Sequence, residues 1–145
     1  MINTQRLFTV IGLAILLAIF GAIQVQAHGT EEHGSHLDAQ MKKLHAMMPM
    51  FSQASAGLEK SIEHNDATAV NEHVTTMLAT IPDLKKSKPH KNAKQVAEFK
   101  KIASTFGAEI AQVGSLAEKG NFVSAKEAYK RVEKACTECH ARFRD

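Results

Sequence analysis

The sequence predicts an all-α protein folded as an antiparallel four-helix bundle, and two observations support this prediction. Apolar residues recur in alternating steps of three and four in four successive segments, the spacing that places them along one face of a helix. The sequence also lacks the sustained alternation of apolar and polar residues that is typical of half-buried strands. Because short connections join the segments, neighbouring helices are expected to be antiparallel and to cross at about 20°.

The first helix is expected to begin at Leu37, and the second to follow Asn65 with Asp66 as its N-cap. Pro49 lies inside the first segment, where it removes a backbone hydrogen bond and is expected to kink the helix. The inward face of the first helix is predicted to consist of Leu37, Met41, Leu44, Met48, Phe51, Ser55, Leu58 and Ile62. The inward face of the second is predicted to consist of Val70, Val74, Met77 and Ile81.

The third helix is expected to open after Asn92 and to stop at Gly120 and Asn121. Its inward face is predicted to consist of Val96, Phe99, Ala103, Phe106, Ile110, Val113 and Ala117. The fourth helix is predicted to direct inward Phe122, Ala125, Tyr129, Val132, Cys136, Cys139 and Phe143. Both cysteines of the chain therefore belong to the inward face of the last helix.

The N-terminal 27 residues have the pattern of a cleaved signal peptide. Arg6 precedes an apolar run over residues 7–23, and Val25 and Ala27 supply small residues at the −3 and −1 positions of a cleavage site. A membrane anchor is the alternative, because the apolar run is nearly long enough to span a bilayer. The abrupt polar turn at His28 favours cleavage. We therefore expect residues 1–27 to be removed and the mature protein to have no membrane segment.

A flexible leader is expected over residues 28–36, followed by the bundle domain over residues 37–145. The leader is polar and contains glycine, so an unpacked tail with incidental histidines is the favoured interpretation. A site for copper, nickel or zinc is the alternative, because three histidines lie close together in the sequence. These are His28, His33 and His36.

The strongest indication of function is Cys136-Thr137-Glu138-Cys139-His140, the Cys-x-x-Cys-His pattern that attaches a c-type haem. Thiols three positions apart on a helix face the same way, so both can bond to the two vinyl groups of one porphyrin. His140 is then placed to bind iron as the proximal ligand. We expect one covalently bound haem c, buried inside the bundle because both cysteines face inward.

Three other interpretations of the cysteine pair are weaker. A redox-active pair is expected near a strand-helix-strand pattern, which this sequence lacks. A structural zinc site needs four ligands, and no second Cys/His pair is present at suitable spacing. A disulfide within this spacing on a helix would be strained. None of the three explains why His140 follows directly.

Charge and composition exclude some function classes. Without Arg6 the chain has 17 basic and 15 acidic residues, a net charge of +2, which gives no support for nucleic-acid binding. The basic run from Lys85 to Lys91 is interpreted as solvated loop charge, with a docking surface for an acidic redox partner as the alternative. The sequence shows no nucleophile and base at informative spacing and no phosphate-binding loop, so an enzyme is not expected.

The segment from Cys136 to Arg144, at the end of a chain with four predicted helices, resembles the class II c-type cytochromes, which include cytochrome c′. The resemblance implies that Phe143 packs beside the haem. It also implies that Arg144 covers the proximal histidine near a haem propionate. For Arg144 the alternative is a basic residue that only complements the helix dipole. Homodimers are common in the family, so a homodimer is a further implication.

The two functional branches of this family differ at the sixth iron position. The first predicted helix contains the candidates Met41, His45, Met47, Met48 and Met50. Counting along the inward face favours Met48, whereas the position of a basic residue, Lys43, four residues upstream favours Met47. His45 lies off the inward face and is interpreted as a surface histidine. Methionine can also act only as core filler.

We therefore expect a periplasmic monohaem cytochrome that carries single electrons between redox partner proteins, with Met48 or Met47 as the distal ligand. The alternative is a five-coordinate, high-spin haem protein that binds nitric oxide or carbon monoxide, with the methionines only covering the iron.

Overall fold

The computed structural model describes residues 31–144, with side chains from Ala39 onward, and this part of the chain is built of four helices. They are α1 (Glu31–Glu63), α2 (Ala67–Lys86), α3 (Val96–Glu118) and α4 (Phe122–Phe143). The prediction of an all-α four-helix bundle is confirmed. The predicted signal peptide lies outside the described residues. Within residues 31–144, no helix is both long enough and apolar enough to cross a membrane.

Contacts between the helices establish the antiparallel order. As residue numbers rise along one helix, the numbers of their partners fall along the next. The contacts that show this are Lys43–Asp83 and Thr80–Met50 between α1 and α2, Asn71–Glu118 and Val74–Gly114 between α2 and α3, Arg131–Glu109 and Arg142–Glu98 between α3 and α4, and Ser55–Tyr129 and Glu63–Lys126 between α1 and α4. The end of α4 that carries the cysteines therefore lies beside the α2–α3 connection.

Helix α1 is longer than the sequence predicts. Its backbone is helical from Glu31, so residues 31–36 of the expected leader belong to its first turns. The helix continues without interruption through Pro49 to Glu63.

The buried stripe of α1 differs by one residue from the predicted inward face at two places. Met47 and Ala54 are buried, whereas Met48 and Ser55 are only half-buried. The reason is that Met48 and Ser55 line an open cleft beside α4, so protein atoms do not cover them completely. The stripe that packs against the rest of the core consists of Leu44, Met47, Phe51, Ala54, Leu58 and Ile62.

The connection between α2 and α3 is fastened to the end of α4. The backbone N–H of Lys91 donates to the carbonyl oxygen of Phe143 at 3.2 Å, and Asn92 Nδ2 donates to the carbonyl oxygen of Arg142 at 2.7 Å. Asn92 has a φ of 55°, a left-handed conformation that ends any helix passing through it. The sequence predicts that α3 starts directly after Asn92. Because of this left-handed residue, α3 begins only at Val96.

A pair of asparagine variants measures how much this fastening stabilises the protein. Asn65 has the same φ of 55°, but its side chain forms no hydrogen bond with any described residue. Glycine tolerates that backbone conformation, so each Asn→Gly change isolates the side-chain contribution. We expect Asn92→Gly to lower the free energy of unfolding by about 1 kcal/mol, and Asn65→Gly to change it by only a few tenths. Urea unfolding followed by circular dichroism provides the comparison, and equal losses would contradict it.

Candidate functional site

A cleft of about 900 Å³ opens between α1, α4 and the α2–α3 connection. Small side chains make room for it: Ser52, Ser55 and Ala56 on α1 face Ala135 and Cys136 on α4. Larger apolar side chains form the rest of the inner wall, namely Leu44, Phe51, Leu84, Phe99, Phe106 and Phe143. The volume lies within the range of about 300–1,000 Å³ that ligand-binding pockets occupy.

The predicted attachment residues meet in this cleft. Cys136, Cys139 and His140 all line it, and both cysteines are half-buried against the core. They share a face of α4 because residues three and four positions apart on a helix are neighbours. Neither cysteine forms a disulfide, so both sulfur atoms are available for another bond.

The electrostatics of the two thiols argue against a redox-active pair. Burial is the main cause that raises the pKa of the Cys139 thiol to about 11, and the nearby Cys136 raises it further. Burial also raises the pKa of Cys136, with a contribution from the negative charge of Glu133. A catalytic or redox thiol needs a lowered pKa so that it is present as thiolate. The site is therefore that of two protonated, shielded thiols.

His140 is placed and tuned as a ligand would be. Burial lowers the pKa of its imidazole, and the positive charge of Arg144 lowers it further. Both effects favour the neutral ring, which is the form that binds a metal. Arg144 is the C-cap residue of α4, and its backbone N–H donates to the carbonyl oxygen of His140 at 3.0 Å. Its side chain belongs to the rim of the cleft.

Phe143 forms part of the inner wall of the cleft. Its side chain is only 3% exposed, and its ring meets that of Phe99 edge to face, with centroids 5.3 Å apart. The preceding residue, Arg142, is directed to a different place. Its guanidinium contacts Glu98 at 3.2 Å and Gln95 at 2.9 Å, at the start of α3.

The structure distinguishes between the methionines of α1. Met48 lines the cleft, and it is the methionine among the described lining residues. Met47 is 6% exposed and belongs to the packed core. The Met50 sulfur accepts a hydrogen bond from Thr80 Oγ1 at 3.5 Å, on the side of α1 that faces α2. The geometry therefore favours Met48 over Met47 as the residue that faces the cysteines.

Two lining histidines stand at the mouth of the cleft. The sequence predicts a surface position for His45, and the residue is exposed. It also contacts His90 of the α2–α3 connection, with the two Nε2 atoms 2.9 Å apart. The rings are nearly parallel, with centroids separated by 4.9 Å. This separation and the Nε2 contact show that the rings meet edge to edge through their nitrogens. No sequence pattern indicates that His90 lines a site, because it lies in an irregular segment without helical periodicity.

Tyr129 also lines the cleft. The sequence predicts its inward position but not its hydrogen bonds. Its hydroxyl donates to the carbonyl oxygen of Ser55 at 3.1 Å and lies 2.9 Å from Ser55 Oγ, which donates to it in turn. These two hydrogen bonds join α1 to α4 across the inner end of the cleft. Acidic residues, Glu59 and Glu133, also line that end, whereas Arg144 and the two histidines lie at the other.

The residues present fit a covalently attached haem. The cleft offers a largely apolar volume of suitable size, two unpaired thiols on one wall, a neighbouring imidazole and a thioether on the wall that faces it. Within the described residues there is no group of three or more His, Cys, Asp or Glu side chains that could hold a metal ion by themselves. The predicted leader histidines lie outside the residues whose side chains are described.

Comparison with known proteins agrees with this chemistry. The family model of cytochrome c′ matches residues 83–144, from the last turn of α2 to the C-cap of α4. Residues 83–144 are therefore similar to cytochrome c′, a class II c-type cytochrome. No curated protein and no solved structure gave a significant match. The matched segment contains the two cysteines, His140 and the fastened connection, while α1 and Met48 lie before it.

Tyr129 should make the stability of the protein depend on alkaline pH. Burial raises the pKa of its hydroxyl above 10.0, although the hydrogen bond with Ser55 opposes this shift. Folding therefore favours the neutral phenol, a contribution that is present below pH 10.0 and is lost as the pH rises through the higher pKa of the folded state. We expect Tyr129→Phe to be less stable than the wild type at pH 8 by about 1 kcal/mol, because two hydrogen bonds are lost, and the difference to shrink at pH 11.

Urea unfolding of both holoproteins at the two pH values tests this expectation. Lysines titrate in the same range, but they are common to both proteins, so their effect cancels in the difference. Ser55→Ala is the control, because it retains the hydrogen bond from Tyr129 to the carbonyl oxygen. A difference that is constant between pH 8 and pH 11 would rule out the linkage.

Proposed function

We propose that this c-type cytochrome is a periplasmic, monohaem carrier of single electrons between redox partner proteins. The observation that carries the proposal is the meeting of Cys136, Cys139, His140 and Met48 in one cleft. A haem bound there supplies reversible one-electron chemistry between ferric and ferrous iron. A carrier of this kind needs a fixed ligand set and a shielded cofactor, and the cleft offers residues for both.

Each attachment residue has a definite task in this proposal. Cys136 and Cys139 would hold the haem, each thiol adding across one vinyl group to form a thioether. His140 on α4 would supply an imidazole ligand for the iron, and Met48 on α1 would supply a thioether ligand. Phe143 shields the proximal side, and Arg144 supplies positive charge at the rim, where a propionate would be neutralised.

The proposed location is the periplasm. Cytochrome c′ family proteins are typically periplasmic, and residues 1–27 have the pattern of a signal peptide. Family members are generally haem carriers without enzymatic activity, and the apolar wall of the cleft suits such a role.

A gas-binding module is the second candidate, and one observation favours it. Beside Met48, the wall formed by α1 and α3 presents the apolar side chains of Leu44, Phe51 and Phe106, which offer no hydrogen-bond donor. An apolar roof of this kind suits neutral diatomic ligands such as nitric oxide or carbon monoxide. In that case Met48 would only cover the iron.

A spectroscopic experiment on the holoprotein distinguishes the two candidates. We expect one covalently bound haem per chain in a pyridine haemochrome assay, a low-spin visible spectrum in both oxidation states and no prompt reaction of the reduced protein with carbon monoxide. Cys136→Ala/Cys139→Ala should carry no covalent haem. A high-spin resting spectrum with tight carbon monoxide binding would support the gas-binding module, and absence of covalent haem in the wild type would refute both.

The distal ligand is tested by a matched pair of variants. Met48→Ala should convert the centre to high spin, lower its reduction potential and open it to carbon monoxide, because the thioether favours ferrous iron. Met47→Ala should keep the low-spin spectrum and lose about 2–5 kcal/mol of stability, since its side chain fills the core. Visible spectra, redox titration and urea unfolding measure these effects. The opposite pattern would assign the ligand to Met47, and an unchanged spectrum in both variants would exclude both methionines.

A further inference from the structure

Positive charge is concentrated in one short part of this protein. Residues 85–101, here named the basic segment, contain seven lysines and one glutamate, a net charge of +6. The whole chain has a net charge of +3, so the residues outside the basic segment sum to −3. The segment comprises the end of α2, the connection fastened to α4 and the first turns of α3. It is therefore a positive region on an otherwise slightly negative molecule.

Three lysines of the basic segment are exposed and have no carboxylate partner in the part of the chain that the structure describes. Lys88, Lys91 and Lys94 are exposed, and none of them forms an ion pair with a carboxylate among the described residues. Other basic side chains of the bundle do form such pairs: Lys43 with Asp83, Lys126 with Glu63, Lys130 with Glu127, Arg131 with Glu109, Lys134 with Glu138 and Arg142 with Glu98. The field of the basic segment therefore extends into solvent.

The basic segment borders the mouth of the cleft. Pro89 and His90 belong both to the segment and to the lining of the cleft. The hydrogen bonds from Lys91 to Phe143 and from Asn92 to Arg142 attach the segment to the end of α4, two and three positions after His140. Because these contacts are made by backbone and by a short side chain, they hold the backbone that carries the lysines beside the end of α4.

We propose that the basic segment is the docking surface for an acidic patch on a redox partner protein. This inference rests on the proposed carrier function, and it adds where the partner binds and which charge the partner presents. Opposite charges raise association rates and orient two proteins before contact, which is what a short-lived electron-transfer complex requires. An anionic membrane surface is the competing occupant. It is less well supported, because Val96, 37% exposed, is the large apolar side chain that the described part of the segment presents for insertion.

The experiment compares two triple variants of the holoprotein that change the net charge equally. Lys88→Ala/Lys91→Ala/Lys94→Ala removes charge from the basic segment. Lys60→Ala/Lys119→Ala/Lys126→Ala removes it from the opposite end of the bundle, where α1 and α3 end and α4 begins. Stopped-flow absorbance follows oxidation of the reduced protein by the hexacyanoferrate(III) anion and by the tris(phenanthroline)cobalt(III) cation, from low to high ionic strength. Polyglutamate serves as the acidic macromolecule and is added as a competitor.

At low ionic strength the segment variant should react with hexacyanoferrate roughly tenfold more slowly than the wild type, a typical size for electrostatic steering. The control variant should change by less than twofold. With the cobalt cation the segment variant should gain in rate. Polyglutamate should slow the wild type and the control, but not the segment variant. All differences should disappear at high salt.

Three results would overturn the docking proposal. Equal effects of the two triple variants would show that only net charge matters. Polyglutamate that fails to slow the wild type would show that the segment does not hold an acidic chain. Cosedimentation with phosphatidylglycerol vesicles that is lost in the segment variant alone would assign the surface to a membrane. In each case an intact low-spin spectrum and reversible redox couple would leave the carrier function standing, whereas their absence would mark failure of the carrier function itself.

Discussion

Filling the interior is the constraint on which the rest of this bundle depends. Protein interiors are packed as densely as organic crystals, so a bundle tolerates a large internal space only if something else occupies it. Away from the α2–α3 connection, side chains do the filling; Leu58, Val70, Ile110, Val113 and Val132 are fully buried. Near the connection, small residues on α1 and α4 leave a cleft instead. The two cysteines lie on the wall of that cleft, so the residues that could attach a haem lie beside the space that the side chains leave unfilled.

The sequence was sufficient to predict the fold and one wall of the site. Cys136, Cys139 and Phe143 occupy helical positions three and four residues apart, and that spacing alone places them together on the inward face of α4. The opposite wall was harder to predict. Met47 and Met48 both fit an inward face counted in steps of three and four, and which of them meets the cleft depends on how α1 is rotated against α4. The periodicity of apolar residues along one helix does not determine how that helix is rotated against its neighbour.

Irregular backbone accounts for the remaining differences. His90 became a lining residue because Asn92 adopts a left-handed conformation and hydrogen-bonds to the end of α4, which draws the whole connection over the cleft. Asparagine tolerates this conformation better than most residues, so its position in the loop was a weak signal. Arg142 and Arg144 show the same limit. They stand two residues apart at the end of one helix, yet the first pairs with Glu98 and the second reaches the rim of the cleft.

The walls of the cleft come from the two ends of the described chain, since α1 opens the bundle and α4 closes it. Closing such a long loop costs conformational entropy, and contacts between distant segments form late in folding. The α2–α3 and α3–α4 pairs, in contrast, are joined by connections of nine and three residues. A group bonded covalently to α4 and contacted by α1 would therefore bridge the two helices that are farthest apart in the sequence, so that attachment of the cofactor would also favour closure of the bundle.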